Sequence, residues 1–250
     1  MIWSACDGSR HIQPLAGKLY RLVESQEQVA TLGYVDTLEE QALLEELLDG
    51  VKPAYPAGAV EDDFHYLLKS PFRYPPLKWG SRFGRIHEPS IFYGGGSVEV
   101  ALAESAYYRF VFWSSMAAPP PKDRICTEHT LFSALYRTSR GLRLQEEPFV
   151  AYLPELTHPA DYRQSQRLGT DMREAGVEAF EYPSARDPAR GLCVGLFTLG
   201  AFPRKRPQEM SQWLCEVGGR EVAFKQVGSR AIISFLLDLF LVDDRLPLPA

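Results

Sequence analysis

The sequence predicts an α+β fold, with a mainly antiparallel sheet and flanking helices in a single domain. Three observations lead there. Segments with strand alternation and segments with helical spacing are interspersed, without the regular rhythm of a parallel βαβ sheet. The chain has 250 residues and is 45% hydrophobic, enough for one sizeable core. No Pro/Gly-rich linker divides it in two. Residues 1–17 read as an irregular N-terminal arm and residues 18–250 as the domain.

The elements follow in order. LYRLVES (19–25) alternates and suits a strand. DTLEEQALLEELLDG (36–50) predicts a helix capped by Asp36 or Thr37, with Leu43, Leu44, Leu47 and Leu48 as its stripe and Gly50 as its end. Residues 51–60 read as loop, 62–70 as a short helix, and the proline-rich 71–90 as irregular backbone. IFYGG (91–95) is a short strand. SVEVALAESAYYRFVFW (97–113) is a strong helix, with Ser97 as N-cap and Glu99 in its first turn. Residues 117–123 connect, and CTEHTLFSALYRT (126–138) fits an edge-like strand. Residues 162–176 form a helix stopped by Gly176. VEAFEYPS, GLCVGLF and REVAFKQV are further strands, and AIISFLLDLFLV (231–242) reads as a buried C-terminal helix.

Composition narrows the function. A formal net charge of −5 disfavours direct nucleic-acid binding, which needs a basic surface. The four scattered cysteines form no CxxC pair and read as reduced, buried thiols, which favours the cytoplasm. HExxH spacing is absent, so no metal is expected. The N-terminus lacks a basic start followed by an apolar run, and no apolar stretch reaches 18 residues, so neither a signal peptide nor a membrane span is expected.

Three places could carry chemistry. Glu104 sits on the long helix with Val100, Ala101, Tyr107 and Tyr108 as same-face neighbours, a carboxylate in an apolar stripe. Such a group is either half of a structural ion pair with an arginine or a functional acid. GSRFGR (80–85) places Arg82 and Arg85 among glycines, suited either to a phosphate or to solvent. In YPSARDP (182–188), Ser184 stands on a turn fixed by Pro183, without a GxSxG elbow or a histidine base. Arg186 there either contacts a phosphate or pairs with Asp187.

In order, LYRLVE, WGSRFG, SIFYGGGSVEVALAE and AFEYPSARDPARG resemble the RES-domain proteins, with eleven residues from Arg82 to Tyr93 and eleven more to Glu104. The resemblance covers about Leu19 to Phe197. It implies an ADP-ribosyltransferase-like fold with a split sheet, and a toxin that degrades NAD+ by hydrolysis or phosphorolysis. It also implies an Xre-type helix-turn-helix antitoxin as partner. NAD+ would then be substrate, with inorganic phosphate as a candidate co-substrate and no resident cofactor. The family's arginine, tyrosine, glutamate and serine fall on Arg82, Tyr93, Glu104 and Ser184, and a further arginine on Arg21. On that reading Glu104 stabilises the charge at the anomeric carbon, and Arg21 and Arg82 hold the pyrophosphate. Tyr93 stacks on nicotinamide or ribose, and Ser184 bonds substrate or orients Glu104. Transfer of ADP-ribose to a protein and a non-catalytic partner-binding module remain the alternatives.

Overall fold

The computed structural model describes residues 1–25, 35–53, 63–118, 120 and 122–248. Residues 54–60 of the expected loop and residue 62 of the expected 62–70 helix lie outside them. The described residues form one eight-stranded sheet: β1 (Gln13–Glu24), β2 (Phe92–Gly95), β3 (Arg124–Arg143), β4 (Ala179–Pro183), β5 (Leu192–Leu196), β6 (Glu209–Gly218), β7 (Glu221–Gln226) and β8 (Ile233–Leu236). The helices are α1 (Ile2–Ala5), α2 (Leu38–Gly50), α3 (Tyr66–Arg73), α4 (Val98–Ser114), α5 (Leu153–Leu156) and α6 (Arg163–Glu174).

The strand order is β1-β2-β5-β4-β3-β6-β7-β8, and β1 also pairs with β3. That extra pairing closes β1, β2, β5, β4 and β3 into a ring, and β6, β7 and β8 extend from β3. All pairs are antiparallel except β3 with β4. β3 makes this possible by its length of 20 residues. Its first half pairs with β6 through Arg124–Ser133, and its end pairs with β4 through Gly141–Arg143, while β1 runs along its other side.

Several expectations need correction. The 126–138 strand is not at an edge but at the centre, because β1, β4 and β6 all hydrogen-bond to β3. The C-terminal apolar run is not a helix. Ile233–Leu236 pairs with β7 and Leu237–Phe240 forms a 3-10 turn, since a solid apolar run satisfies either period. The helix expected over 62–70 runs Tyr66–Arg73, with the His65 ring accepting from the Leu67 amide. Residues 1–17 are not irregular: α1 precedes β1, which begins at Gln13. Of the leucines in the expected α2 stripe, Leu43, Leu47 and Leu48 are exposed.

The apolar side chains gather in three clusters. α3 closes one end of the ring, so that Leu67 and Leu68 meet Phe92, Phe132 and Leu196. α6 covers the β4–β5 side through Leu168 and Met172, against Phe83, Phe180 and Tyr182. α4 packs Leu102, Ala103, Ala106, Tyr107 and Phe110 on Trp213, Val222, Phe224 and Phe235 of the extension. Full burial of a side chain such as Phe92 or Phe224 stabilises the fold by about 1.5–3 kcal/mol. α4 starts where Ser97 accepts from the Val100 amide at 3.3 Å. At 3.6 residues per turn its core face (102, 103, 106, 107, 110) lies opposite a second face (101, 104, 105, 108, 112), and that second face lines the main cleft.

α6 also sets the loop carrying Arg82. Gly169 lies flat against Phe83, and a Cβ there would fall on the Phe83 carbonyl. Gly169→Ala therefore forces α6 away from residues 80–85 and costs about 1–3 kcal/mol, the usual penalty of overpacking. Chemical denaturation should show a lowered midpoint with an unchanged slope.

Candidate active site

A cleft of about 720 Å³ opens between α4, β1, β2 and the loop before β2. Arg21, Arg82, Tyr93 and Glu104 all line it, together with Tyr108, Tyr162, Tyr182 and Cys193. Residues far apart in sequence thus converge on one hollow. Ser184 and Arg85 do not line it, nor does any of the five histidines.

Glu104 is half-buried. Ser184 donates its hydroxyl proton to Glu104 Oε1 at 2.5 Å, and the Cys193 thiol donates to the same oxygen at 3.6 Å. Among the described residues neither arginine nor lysine forms an ion pair with it, and Oε2 accepts no hydrogen bond. The carboxylate is therefore held by one oxygen and presents the other. A structural ion pair, the plainer alternative for Glu104, does not occur among the described residues.

Ser184 is fully buried and stands behind the glutamate. Its direction is fixed by the turn it begins. The Arg186 and Asp187 amides donate to Ser184 Oγ at 3.1 and 2.9 Å, a serine turn of the usual side-chain-to-backbone kind. With both lone pairs engaged, the hydroxyl proton points to Glu104. Asp187 closes the loop by accepting from the Ala189 and Gly191 amides. Ser184 thus holds the Glu104 carboxylate and does not itself line the cleft.

Arg82 sits on a tight turn, where Ser81 and Gly84 exchange backbone hydrogen bonds and Gly80 takes a φ of +74°. Gln166 of α6 donates to the Trp79 and Ser81 carbonyls and holds the turn. The Arg82 guanidinium donates through Nη1 to the Leu156 and His158 carbonyls and lies 4.5 Å from the Tyr162 ring centre. Burial opposes its charge, but Tyr162 and Glu104 nearby hold its pKa above the ordinary value. Arg82 faces the glutamate's cleft without pairing to it.

Arg21 stacks over Phe92 at 4.8 Å and donates to the Tyr93 carbonyl at 2.9 Å. No carboxylate pairs with it among the described residues, and burial pulls its pKa down to about 10. It stays charged at neutral pH, a desolvated cation without a counter-ion, which favours an anionic ligand. The Tyr93 hydroxyl bonds Ser81 Oγ at 3.0 Å and accepts from the Phe83 amide at 3.1 Å. Burial pushes its pKa up to about 12, so it stays protonated and ties β2 to the Arg82 turn. Its ring meets Tyr182 edge-on at 6.5 Å.

Arg186 is neither exposed nor paired with Asp187. It is buried, stacks 3.5 Å from the Tyr107 ring centre, and donates to the Pro159 carbonyl and the Tyr162 hydroxyl. It braces the wall of the site. Arg85 is engaged through its amide with Glu88. Sequence reasoning missed Cys193, Tyr162 and Tyr182. Cys193 and Tyr182 sit opposite each other in the β4–β5 register, a pairing that no local motif announces.

Removing the Ser184 hydroxyl strips Glu104 Oε1 of its short donor and leaves two amides without an acceptor. Ser184→Ala should lower stability by about 1–3 kcal/mol, the cost of unsatisfied buried groups. A crystal structure of the variant should show the Glu104 carboxylate turned from its present rotamer.

The arrangement is a half-buried carboxylate, three guanidinium groups (Arg21, Arg82 and Arg109) and several tyrosine rings around a hollow large enough for a ligand of several hundred daltons. No curated protein matches the chain. The family model of the RES domain matches residues 56–217, more than half of the chain, and spans Arg82, Tyr93, Glu104 and Ser184 but not Arg21. The chain belongs to the RES-domain family.

Proposed function

We propose that this protein binds NAD+ in the cleft and cleaves its nicotinamide–ribose bond, by hydrolysis or phosphorolysis. RES domains are associated with toxin–antitoxin pairs and with an enzymatic toxin role, and NAD+ depletion is the toxic act this site could perform. The observation that carries the reading is Glu104 Oε2, which accepts no hydrogen bond among the described residues, beside a cleft that also holds Arg21, which no carboxylate pairs among them.

Breaking the bond to nicotinamide builds positive charge at the anomeric carbon, as in the oxocarbenium-like transition state of glycoside cleavage. A fixed carboxylate oxygen beside that carbon stabilises the charge without reorganising. Its hydrogen bonds from Ser184 and Cys193 lie on the other oxygen, so ribose contact or proton movement takes place at Oε2. Nicotinamide is already cationic before departure and leaves neutral, so no acid is needed at the breaking bond. Tyrosine rings lining the pocket suit a cationic ring by their electron-rich faces. Arg21 and Arg82 supply forked donors for the pyrophosphate.

The acceptor of the ADP-ribosyl group is water or phosphate on this reading. The partner that would restrain the activity is an Xre-type helix-turn-helix antitoxin. Among the described residues no helix is long and apolar enough to cross a membrane.

Purified protein mixed with NAD+ should release nicotinamide, and chromatography of the second product distinguishes ADP-ribose from its phosphorylated form. Label from NAD+ fixed on a protein instead would identify transfer. Glu104→Gln keeps size and shape but removes the charge, and should lower kcat by about 10²–10³-fold or more with an unchanged melting temperature. Full activity in that variant would overturn the mechanism.

A further inference from the structure

The tyrosine rings that line the cleft are not equally open to a ligand. Tyr162 is buried, with the Arg82 guanidinium over its ring. Tyr182 is buried and packed against Phe83, Phe180 and Tyr93. Tyr93, the ring that the family resemblance would stack on the ligand, meets Tyr182 edge-on and has its hydroxyl tied to Ser81 and to the Phe83 amide. Tyr108 differs from these three. It lines the same cleft, is 47% exposed, and its hydroxyl forms no hydrogen bond among the described residues.

Its place on α4 sets it beside the acid. Side chains three or four residues apart on a helix are neighbours, with Cβ atoms about 5–6 Å apart. Of the four that flank Glu104 in this way, Val100, Ala101 and Tyr107 are buried and Tyr108 is open. Burial raises the pKa of the Tyr108 hydroxyl well above the ordinary value, with Tyr162 and Glu104 adding to the rise and Arg82 opposing it. The hydroxyl end is therefore turned inward, among Glu104, Arg82 and Tyr162, and the exposed surface is that of the ring body. The ring is also held still. Tyr107 meets it edge-on, with centres 5.1 Å apart and planes at 73°. Tyr107 is itself fully buried, donates to the Pro247 carbonyl at 2.5 Å and carries Arg186 over its ring at 3.5 Å.

Nicotinamide in NAD+ is bonded to the anomeric carbon, so a ribose held beside Glu104 brings that ring within reach of the next turn of α4. The nicotinamide ring is flat and positively charged, and the face of a tyrosine ring attracts such a cation. We propose that Tyr108 is the ring on which the nicotinamide stacks, and that it makes the site select the oxidised, cationic dinucleotide against its neutral reduced form. This rests on the proposed placing of the reacting ribose at Glu104. The positive charge leaves the nicotinamide as the bond breaks. The contact therefore strengthens binding of the intact dinucleotide more than it stabilises the transition state, and it loosens its hold on the neutral product. Tyr108 acts on affinity, and Glu104 on the bond.

The test is calorimetric binding of NAD+ and NADH to the Glu104→Gln chain, which should hold NAD+ uncleaved. Adding Tyr108→Leu should lower the ratio of NAD+ to NADH affinity by about fivefold or more, the scale of a cation–π contact. Tyr108→Phe keeps the ring and should keep that ratio to within about twofold. With Glu104 intact, Tyr108→Leu should raise KM for NAD+ more than it lowers kcat. The ratio is internal to each variant, so a change in folded fraction does not mimic the result. A ratio that Tyr108→Leu leaves as it was, or a loss that falls on kcat alone, overturns the inference. An equal drop in Tyr108→Phe overturns it too, because the effect then belongs to the hydroxyl. Wild-type protein that binds NAD+ without releasing nicotinamide overturns the cleavage reading alone, and the affinity ratios still decide the present one. Absence of binding to both nucleotides overturns both.

Discussion

The site depends on a single short hydrogen bond, from the Ser184 hydroxyl to Glu104 Oε1 at 2.5 Å. Its direction is not free. Two backbone amides occupy the oxygen of Ser184, so the proton has one place to go. The donated proton fixes one carboxylate oxygen and leaves the other bare. Without it, a carboxylate on an apolar helix face would turn toward solvent or seek an arginine. Much of the surrounding structure maintains that bond. Asp187 closes the turn, Arg190 reaches Thr157, and Arg186 is clamped between Tyr107 and the 159–162 segment.

α4 ties this chemistry to the fold. One face is packed on the β6–β8 extension and the opposite face is the cleft wall. The helix cannot roll to relieve the Glu104 environment without tearing Leu102, Ala106 and Phe110 from the core. That rigidity is what a preorganised charge requires. The Arg82 turn is fixed separately, by Gln166 and Gly169 of α6 and by the Tyr93 hydroxyl. The two walls of the cleft are thus anchored in different parts of the molecule.

Local signals were legible in the sequence, and long-range ones were not. The cap at Ser97 and the odd carboxylate at 104 stand out because both depend on helical spacing alone. Glu104 and Arg82 stand out by their own setting in the sequence, Tyr93 and Arg21 only through the family resemblance, and the fold brings all four to one hollow. Ser184 was recognised as displayed by a turn, but its displayed side faces a helix from a distant part of the chain. Cys193 escaped notice because its contact spans 89 residues and a lone thiol in a strand carries no local mark. β6 was not foreseen, since EMSQWLCEVG begins with polar residues and alternates in burial only near its end. The centrality of β3 follows from partners on both sides, which alternation within one strand cannot reveal.

Determining the structure of the Glu104→Gln chain with NAD+ bound tests the central claim most directly, because the inactivating change should trap the intact dinucleotide. The account predicts the anomeric carbon of the nicotinamide ribose beside the side-chain amide of residue 104, on the side away from Ser184, with the pyrophosphate on Arg21. A dinucleotide bound elsewhere on the surface, or lying in the cleft with its adenine end at residue 104, would contradict it.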